Sequence, residues 1–570
     1  MDGWHRTASL LWPVVLLCTA VAAPSSAASK PAVKARHGMV SSAEVHASTV
    51  GMEILRQGGN AVDAAVAVGF ALAVTFPQAG NLGGGGFMVI RMADGRTTTI
   101  DYRERAPAKA TRSMFLDSAG NFVPARSQQG YLSAGVPGSV AGLLMALEKY
   151  GTQSRKGVIS PSVRLAERGF RVSERFAADL NAMVRSFGTH PSTRAVFACP
   201  SGEWKEGDTL VQRDLGLTLR RVMEQGRDGF YRGRISDMIE RQMKQNGGLI
   251  TAEDLREYEA VERPPVRSTY RGYEIISMGP PSSGGVLLIH LLNLLEPFDM
   301  KQKGFNSSET IGLMAEAMKL AFADRAEFLG DPDFYQVPTA TLLSKKYADA
   351  RRALLDTTRA VPSVSISHGT IQNPEAGQTT HYSVVDRQGN AVSVTTTLNS
   401  WFGCGVVVDG AGFFLNNEMD DFAAKPGAPN QFGLLGGEAN SVQPKKRMLS
   451  AMTPTVVLKN GSPWLITGSP GGSTIITTVL QIILNVVDHG MDLQEAVDAP
   501  RIHHQWRPDT LWYEHRGLSR DVVVNLEKRG YTVVERPGYQ GWVEAIMIDR
   551  RHGWYLGASD PRGSGASVGF

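Results

Sequence analysis

The first clear pattern along the chain is a pair of helical segments. Apolar positions recur with helical spacing from residue 41 to residue 76, and Gly58, Gly59 and Asn60 interrupt them. Because glycine ends helices and asparagine begins them, we predict two helices separated by this break. Four glycines at residues 83–86 then lead into the apolar residues 87–90, and β-rich residues follow at 97–102. This second pattern predicts a β-hairpin.

The middle of the chain shows mainly helical periodicity. Residues 140 to about 355 are predicted to be mostly helical, with one helix opened by Thr251 and another over residues 308–323. Between residues 360 and 377 the periodicity is lost, and Ser, Pro, Gly and His accumulate. That composition predicts an exposed linker.

Beyond the linker, β-rich runs dominate. Residues 379–386 and 391–397 flank a glycine-containing turn, which predicts a second hairpin. Further strands are predicted at residues 453–458, 464–467 and 545–548, and further helices at residues 475–487 and 519–529. Hairpins mixed with helices favour a layered α+β fold over a doubly wound parallel sheet.

The N-terminal segment is typical of a targeting sequence. His5 and Arg6 precede an apolar run at residues 10–23 and a group of small residues that ends at Ala27. The run is short for a bilayer core of about 30 Å, so a cleavable signal peptide over residues 1–27 is favoured over a membrane span. We therefore expect a periplasmic or secreted protein without a membrane anchor.

Composition excludes several classes of protein. The 59 basic and 55 acidic residues leave a net charge of +4 without long runs of like charge, which argues against a nucleic-acid partner. After removal of the signal peptide, Cys199 and Cys404 are the cysteines that remain, too few for a disulfide framework and not spaced as metal ligands. We expect neither a metal nor another cofactor.

Thr379 lies where a cut in the linker would create a new N-terminus. A threonine hydroxyl hardly ionises at neutral pH and is a poor nucleophile by itself. A free α-amine has a pKa of about 7.7 to 8.0 and can take the hydroxyl proton, so nucleophile and base would belong to one residue. Taken alone, a Thr-Thr pair at the start of a strand is ordinary strand sequence.

Several ordered motifs give the chain a resemblance to the γ-glutamyltranspeptidases. They span almost the whole mature chain and comprise residues 58–65 (GGNAVDAA), 83–87 (GGGGF), 101–104 (DYRE), 377–386 (GQTTHYSVVD), 389–392 (GNAV), 416–422 (NNEMDDF), 467–472 (TGSPGG) and 559–562 (SDPR). The resemblance implies an N-terminal-nucleophile hydrolase fold, an αββα sandwich. It also implies a precursor that cuts itself between Gln378 and Thr379, giving a large subunit from residue 28 to 378 and a small subunit from 379 to 570. The two subunits would form one catalytic domain.

The resemblance also implies catalytic roles. Thr379 would attack the γ-glutamyl carbonyl, and Thr397 would hydrogen-bond and orient it. Without the resemblance, Thr397 is a β-branched strand residue. The N–H groups of Gly471 and Gly472 would stabilise the oxyanion, since backbone donors at a helix start are already in place for developing charge. The alternative for this glycine pair is a turn that caps a helix.

Two further groups would recognise the charged end of a γ-glutamyl substrate. Arg103, whose planar fork grips two oxygens, would bind the α-carboxylate together with Ser450. Glu418 and Asp421, assisted by Asn399, would hold the α-ammonium. The alternatives are a surface ion pair for Arg103, and a solvated acidic loop or a cation site for residues 416–421.

Two positions depart from the family pattern, and other apparent motifs fail on context. Ala451 follows Ser450 where many members have a second serine, and Phe432 occupies a tyrosine position in the predicted lid loop of residues 426–437. Residues 565–569 (GASVG) spell a nucleophile elbow but leave no room for the required helix. His503 and His504 lack a third ligand at zinc spacing and are predicted to be structural.

The sequence therefore predicts a γ-glutamyltranspeptidase or glutathione hydrolase. Water, an amino acid or a dipeptide would accept the γ-glutamyl group from the acyl-threonine. One alternative is an acylase for glutaryl side chains of β-lactams, which would not need the acidic pair. The other is an inactive periplasmic protein that binds γ-glutamyl peptides.

Overall fold

The computed structural model describes residues 29–367, 378–425, 428, 430, 431, 433 and 438–570. The strands are β1 (Val33–Ala35), β2 (Gly38–Ser42), β3 (Gly85–Arg91), β4 (Thr97–Asp101), β5 (Phe170–Arg171), β6 (Thr209–Leu210), β7 (Val261–Arg263), β8 (Val266–Tyr270), β9 (Tyr273–Ser277), β10 (Gln378–Asp386), β11 (Ala391–Asn399), β12 (Thr455–Lys459), β13 (Ser462–Thr467), β14 (Ile502–His503), β15 (Leu511–Tyr513), β16 (Val533–Glu535), β17 (Glu544–Asp549), β18 (Trp554–Ser559) and β19 (Ala566–Gly569). The helices are α1 (Val45–Arg56), α2 (Ala61–Thr75), α3 (Pro124–Gln128), α4 (Ser139–Tyr150), α5 (Arg155–Arg168), α6 (Glu174–Phe187), α7 (Pro191–Phe197), α8 (Arg213–Gln225), α9 (Asp228–Tyr231), α10 (Arg234–Gln245), α11 (Ala252–Arg256), α12 (Gly284–Leu295), α13 (Met300–Lys303), α14 (Ser308–Phe328), α15 (Thr339–Leu342), α16 (Lys345–Arg352), α17 (Thr474–Val487), α18 (Leu493–Asp498) and α19 (Arg520–Lys528).

Two antiparallel sheets form the centre of the molecule. The strand order is β19-β2-β10-β11-β3-β4-β7 in the first sheet and β1-β18-β17-β13-β12-β9-β8 in the second. Both predicted hairpins lie in the first sheet, where β3 pairs with β4 and β10 pairs with β11. The strand that begins with the predicted cleavage site therefore occupies the middle of a sheet, between β2 and β11.

The sheets pack face to face between layers of helices. Phe87 of β3 and Ile276 of β9 belong to one buried apolar cluster between the sheets. Met88, the next residue on β3, points to the opposite face and packs in the cluster formed with α1, α2 and α4. Helices α12, α14 and α17 cover the outer face of the second sheet in the same way. The predicted αββα sandwich is therefore confirmed.

The break between the first two helices fixes α2 to the predicted nucleophile hairpin. Asn60 caps α2 by accepting the N–H groups of Val62 and Asp63, and the Asp63 carboxylate accepts the N–H of Asn60 at 2.8 Å. The N–H of Ala61 donates to Asp386 at the end of β10, also at 2.8 Å. These bonds provide acceptors for the free backbone N–H groups at the start of α2 and connect the helix to β10.

The middle of the chain contains strands that helical periodicity did not reveal. Strands β8 and β9 form a hairpin that lies at the edge of the second sheet. The turn between them uses positive φ angles at Arg271 (48°) and Gly272 (83°). Because β9 pairs with β12, far along the chain, its place in the second sheet left no local signal in the predicted helical region.

The first part of the predicted exposed linker, residues 360–367, contains no helix or strand, as predicted, but it is only partly exposed. Ser363 and Ile366 are buried, and the indole N–H of Trp506 donates to both of their carbonyls, at 3.0 and 3.2 Å. The rest of that segment, residues 368–377, lies outside the described residues, as do the predicted signal peptide and Phe432 of the predicted lid. In the ranges that are described, no helix has the length and apolar character needed to cross a membrane.

Candidate active site

Thr379 lies at a β-bulge between β10 and β11. Gln378 pairs with Asn399 and Thr380 pairs with Thr396, so Thr397 and Leu398 stand opposite Thr379 alone. A bulge breaks the regular ladder and redirects the side chains beside it. Thr379 is 3% exposed, and in the continuous chain its nitrogen belongs to the peptide bond with Gln378. The bulge thus sets the predicted cleavage site apart from the regular strand that follows.

The end of β11 is held by close backbone contacts. The hydroxyl of Thr397 accepts the N–H of Asn399 at 2.7 Å, and its carbonyl accepts the side-chain amide of Asn81, also at 2.7 Å. A Cβ on Gly84 would lie 2.0 Å from the Thr397 carbonyl oxygen, so only glycine permits this approach. The four-glycine turn therefore brings the start of β3 against Thr397.

Asn399 connects β11 to the predicted ammonium-binding segment. Its side-chain amide donates to the carbonyl of Asn417 at 3.0 Å, and the N–H of Asn417 donates to Leu398 at 3.1 Å. Glu418 follows directly. The Oδ1 atom of Asn399 is buried and has no hydrogen-bond donor within the described residues. A buried acceptor of this kind fits a cationic donor.

Arg103 brings together both predicted charge-binding groups. Its Nη1 donates to Oε1 of Glu418, and its Nη2 donates to Oδ2 of Asp421 at 2.5 Å. The same guanidinium donates through Nε to the carbonyl of Met448 at 3.1 Å and through Nη2 to that of Leu449 at 3.0 Å. Ser450 follows Leu449 in the chain, and its hydroxyl accepts the N–H of Met452 at 3.2 Å.

Burial decides between the alternatives for these charged residues. The side chain of Arg103 is 1% exposed, which makes the surface ion pair wrong. Residues 416–421 are each at most 2% exposed, so the solvated acidic loop is wrong as well. Charges buried to this degree require partners. The carboxylates of Glu418 and Asp421 have Arg103, and Asp420 accepts the Ser127 hydroxyl at 2.5 Å.

Two carboxyl groups beside Arg103 have raised pKa values. Burial, followed by the charge of Glu418, raises the pKa of Glu104 well above its usual range, which favours its neutral form. Burial also raises the pKa of Glu418, and the adjacent Arg103 guanidinium offsets part of that rise. The Arg103 guanidinium is the charge that favours the ionised form of both carboxyls.

Gly471 and Gly472 lie between β13 and α17. Their φ angles are +136° and +62°, and the Gly471 carbonyl accepts the N–H of Thr474 at 3.2 Å at the start of α17. Their own N–H groups have no acceptor in the part of the chain that the structure describes. This geometry is compatible with a turn that caps α17. It also leaves two backbone N–H donors at the positive end of the α17 dipole.

His381 joins this glycine loop to β10. A Cβ on Gly468 would lie 2.4 Å from Nδ1 of His381, so the loop packs directly on the ring. Nδ1 is 2.9 Å from the Thr395 hydroxyl and Nε2 is 3.1 Å from that of Ser383. Burial lowers the pKa of His381 to about 3. His381 is thus a neutral structural residue at working pH.

Glu104 and Asn81 had no predicted role at the site. Glu104 follows Arg103 within the DYRE motif, and Asn81 lies two residues before the four glycines. The contact of Asn81 with Thr397 depends on tertiary structure that the glycine motif does not express. The rejected motifs are confirmed as structural: residues 566–569 form strand β19, and His503 is buried, with Nδ1 2.9 Å from the Thr477 hydroxyl.

Comparisons with known proteins agree with this geometry. The family model for γ-glutamyltranspeptidase matches residues 47–570. The chain is 52% identical over 535 residues to the glutathione hydrolase proenzyme of Escherichia coli K12, covering 93% of this chain and 91% of that protein.

Solved structures give the same result. The cephalosporin acylase from Bacillus halodurans matches with a TM-score of 0.84 at 27% identity, over 96% of this chain and 98% of that one. A Helicobacter pylori γ-glutamyltranspeptidase matches with a TM-score of 0.57 at 45% identity, over 60% of this chain and 97% of the solved chain. Since the family model covers most of the sequence and a relative matches along nearly its full length, the chain belongs to the γ-glutamyltranspeptidase family.

Proposed function

We propose that this protein is a γ-glutamyltranspeptidase and glutathione hydrolase with Thr379 as its nucleophile. The observation that carries the proposal is the buried group of Arg103, Glu418 and Asp421, which offers both charges that a γ-glutamyl substrate requires. The relative from Escherichia coli is named a glutathione hydrolase proenzyme, which supports glutathione as a substrate and a precursor as the starting form.

Activation is a cleavage between Gln378 and Thr379. The Thr379 hydroxyl attacks the carbonyl carbon of Gln378, the C–N bond breaks, and the hydroxyl proton passes to the released nitrogen, which becomes the α-amine of Thr379. Water then hydrolyses the resulting ester to the Gln378 carboxylate and the free Thr379 hydroxyl. Residues 28–378 and 379–570 then remain associated as large and small subunits of one catalytic domain, because β10 pairs with β2 of the large subunit. The Helicobacter pylori match supports two separate chains, since it covers 97% of the solved chain but 60% of this one.

Recognition works by an exchange of ion pairs. The substrate α-carboxylate takes the Arg103 guanidinium, with the Ser450 hydroxyl beside it. The α-ammonium forms ion pairs with Glu418 and Asp421. Its third N–H donates a hydrogen bond to the buried Oδ1 of Asn399. The zwitterion adds no net charge, so every buried charge keeps a partner.

The new α-amine of Thr379 accepts the hydroxyl proton as the oxygen attacks the γ-glutamyl carbonyl carbon. Thr397 orients the nucleophile from the end of β11. The N–H groups of Gly471 and Gly472 stabilise the negative oxygen of the tetrahedral intermediate. The departing amine takes the proton, and the acyl ester is then cleaved by water or by the amine of an amino acid or dipeptide.

Release of p-nitroaniline from γ-glutamyl-p-nitroanilide tests the proposal. We expect release by the processed protein, acceleration by dipeptides, and cleavage of glutathione to glutamate and cysteinylglycine. A folded, processed protein that releases no p-nitroaniline would instead be the inactive binder of γ-glutamyl peptides.

A glutaryl acylase is the second candidate, because the Bacillus halodurans neighbour is a cephalosporin acylase. A glutaryl group lacks the α-ammonium, so it leaves Glu418 and Asp421 without their ligand. Comparing glutaryl-p-nitroanilide with the γ-glutamyl compound separates the two candidates. Equal kcat/KM values for the two substrates would favour the acylase.

The predicted location goes with this function. The bacterial relatives in the family support an exported enzyme, and we infer that residues 1–27 are the signal peptide that directs export. N-terminal sequencing of the large subunit tests this directly, with Ala28 as the expected first residue.

A further inference from the structure

Asn440 joins the two segments that are proposed to recognise the opposite charges of the substrate. Its side-chain amide donates to the backbone carbonyl of Asp421 at 2.6 Å, and its Oδ1 accepts the backbone N–H of Leu449 at 3.0 Å. Asp421 belongs to the proposed ammonium site, and Leu449 directly precedes Ser450 of the proposed carboxylate site. One side chain therefore connects both sites.

The Asn440 side chain completes a ring of hydrogen bonds with the charged group. Nη2 of Arg103 donates to the Asp421 carboxylate at 2.5 Å and to the Leu449 carbonyl at 3.0 Å. Asn440 connects the backbone of Asp421 to the backbone of Leu449 and so closes the ring. The ring fixes the distance between the two segments.

Asn440 is itself held in one orientation. It is 2% exposed, and its backbone carbonyl accepts the N–H of Ala423 at 2.9 Å. The carbonyl of the next residue, Ser441, accepts a hydrogen bond from Nζ of the buried Lys446 at 3.1 Å. A rotated Asn440 amide would place its oxygen against the Asp421 carbonyl and its nitrogen against the Leu449 N–H, so both bonds would be lost. The observed orientation is therefore strongly preferred.

The bonds of Asn440 do not depend on the ion pair that substrate binding replaces. When the substrate carboxylate takes the Arg103 guanidinium, the contact between Arg103 and Asp421 is lost. The Asn440 bonds go to backbone atoms, which the substrate does not displace. Ser450 is fixed through its backbone as well, since its carbonyl accepts the N–H and the hydroxyl of Ser283 at 2.7 and 2.6 Å. Asn440 therefore keeps the two segments together after the exchange.

A fixed spacing matters because of the substrate's own geometry. The α-carboxylate and the α-ammonium of a γ-glutamyl group are attached to one carbon, so covalent bonds set their separation. A site whose two halves are already held at the matching separation makes both interactions at once, without the entropic cost of ordering the halves on binding. A substrate with one of the two charges uses one half of the site and does not depend on the spacing.

We propose that Asn440 is a positioning residue that sets the spacing between the two halves of the donor site and so favours substrates that carry both charges on one carbon. The proposal rests on the proposed function. Asn440 acts through Asp421 and Leu449, whereas the nucleophile and the oxyanion glycines lie at β10 and in the loop before α17. Its loss should therefore affect recognition of the donor more than the chemical step.

The test compares three p-nitroanilides on processed protein: the γ-glutamyl compound, the glutaryl compound, which lacks the ammonium, and the 4-aminobutyryl compound, which lacks the carboxylate. For Asn440→Ala we expect the KM for γ-glutamyl-p-nitroanilide to rise about three- to tenfold, with a smaller change in kcat. The advantage in kcat/KM of the γ-glutamyl compound over each one-charge analogue should fall by a similar factor.

Asn440→Asp separates the two bonds. Its carboxylate can still accept the N–H of Leu449 but has no donor for the Asp421 carbonyl. We expect the advantage over the glutaryl compound to fall more than the advantage over the 4-aminobutyryl compound, because the ammonium half is the one released. Asn293→Ala is the matched control, since Asn293 on α12 is also 2% exposed and its amide donates to the Leu343 carbonyl at 3.0 Å. It should leave both ratios unchanged.

The outcomes separate this proposal from the proposed function. If the unmodified, processed protein releases no p-nitroaniline from the γ-glutamyl compound, the proposed function fails and the role of Asn440 fails with it. If it releases p-nitroaniline but Asn440→Ala lowers kcat/KM by the same factor for all three substrates, or for none, the role of Asn440 alone is overturned. Failure of both Asn440 variants to mature, while Asn293→Ala matures, would show a role in folding and overturn it as well.

Discussion

The Nη2 atom of Arg103 lies 2.5 Å from Oδ2 of Asp421, and both side chains are at most 2% exposed. The family resemblance assigns these residues to opposite charges of the substrate. The structure joins them before any substrate is present, so folding already places both charges in a low-dielectric pocket. A zwitterionic substrate replaces the ion pairs between Arg103 and the two carboxylates with ion pairs of its own. Because these protein charges are already desolvated, binding requires less free energy for the desolvation of polar groups.

Replacing the nucleophile should abolish maturation. We expect Thr379→Ala to give a single uncut chain, because the hydroxyl that attacks the Gln378 carbonyl is absent. Thr379→Ser is the control, since it keeps a hydroxyl and should still yield two fragments on a denaturing gel. Two fragments of normal size from the alanine variant would refute self-cleavage at this site.

Arg103→Lys should distinguish the contribution of the positive charge from that of the guanidinium shape to binding of the substrate α-carboxylate. Lysine keeps the positive charge but loses the fork that contacts both Glu418 and Asp421. We expect processing to remain intact and the KM for γ-glutamyl-p-nitroanilide to rise about 10- to 100-fold. Arg103→Ala should in addition lower the free energy of unfolding by about 3–5 kcal/mol, because it leaves buried carboxylates without a partner. Unchanged kinetics in both variants would remove Arg103 from the site.

Asp421→Asn should weaken the preference for glutamyl over glutaryl substrates. Asparagine keeps the shape of the side chain but not the charge that holds the α-ammonium. We expect the ratio of kcat/KM for the two p-nitroanilides to fall about tenfold or more. Asp409→Asn, in the turn before residue 416, is a suitable control and should leave the ratio unchanged. A ratio that stays constant in Asp421→Asn would contradict the assignment.

Donor affinity should depend on pH through Glu418. Burial raises the pKa of this carboxyl above the ordinary value of 4.5, so a proton competes with the substrate ammonium at higher pH than for an exposed glutamate. We therefore expect the KM for the donor to be lowest above the raised pKa and to increase as the pH falls through it. Glu418→Gln should give a high KM with a flattened pH profile. If the variant keeps the full pH dependence, another group is responsible.

Gly471→Ala should mainly lower kcat. A Cβ there would lie 2.4 Å from the Thr474 hydroxyl, and the φ angle of +136° disfavours alanine, so the N–H would be displaced. Loss of one oxyanion donor costs about 100- to 1,000-fold in kcat. Gly461→Ala is the matched control, since Gly461 also has a positive φ (+74°) but no atom within 4 Å of its Cβ position. Equal effects of the two substitutions on kcat would indicate general strain instead.

Local sequence determined the elements that depend on neighbouring residues. The capped start of α2 and the two hairpins of the first sheet lie where the glycine, asparagine and β-branched positions predicted them. Strand β9 and the packing of residues 360–367 were missed, because their partners, β12 and Trp506, lie far along the chain. Separation in sequence, more than residue type, limited the prediction of the fold.

The candidate site divides in the same way. The motifs named Thr379, Arg103 and Asp421, but the distance of 318 residues between the last two leaves their ion pair to tertiary structure. Burial of that pair and the bulge at Thr379 also arise only when the sheets and helices pack. The sequence determines which charged groups and hydrogen-bond donors are available. Packing determines which of them are buried next to each other. Burial excludes water, which strengthens the electrostatic interactions between these groups and shifts their pKa values.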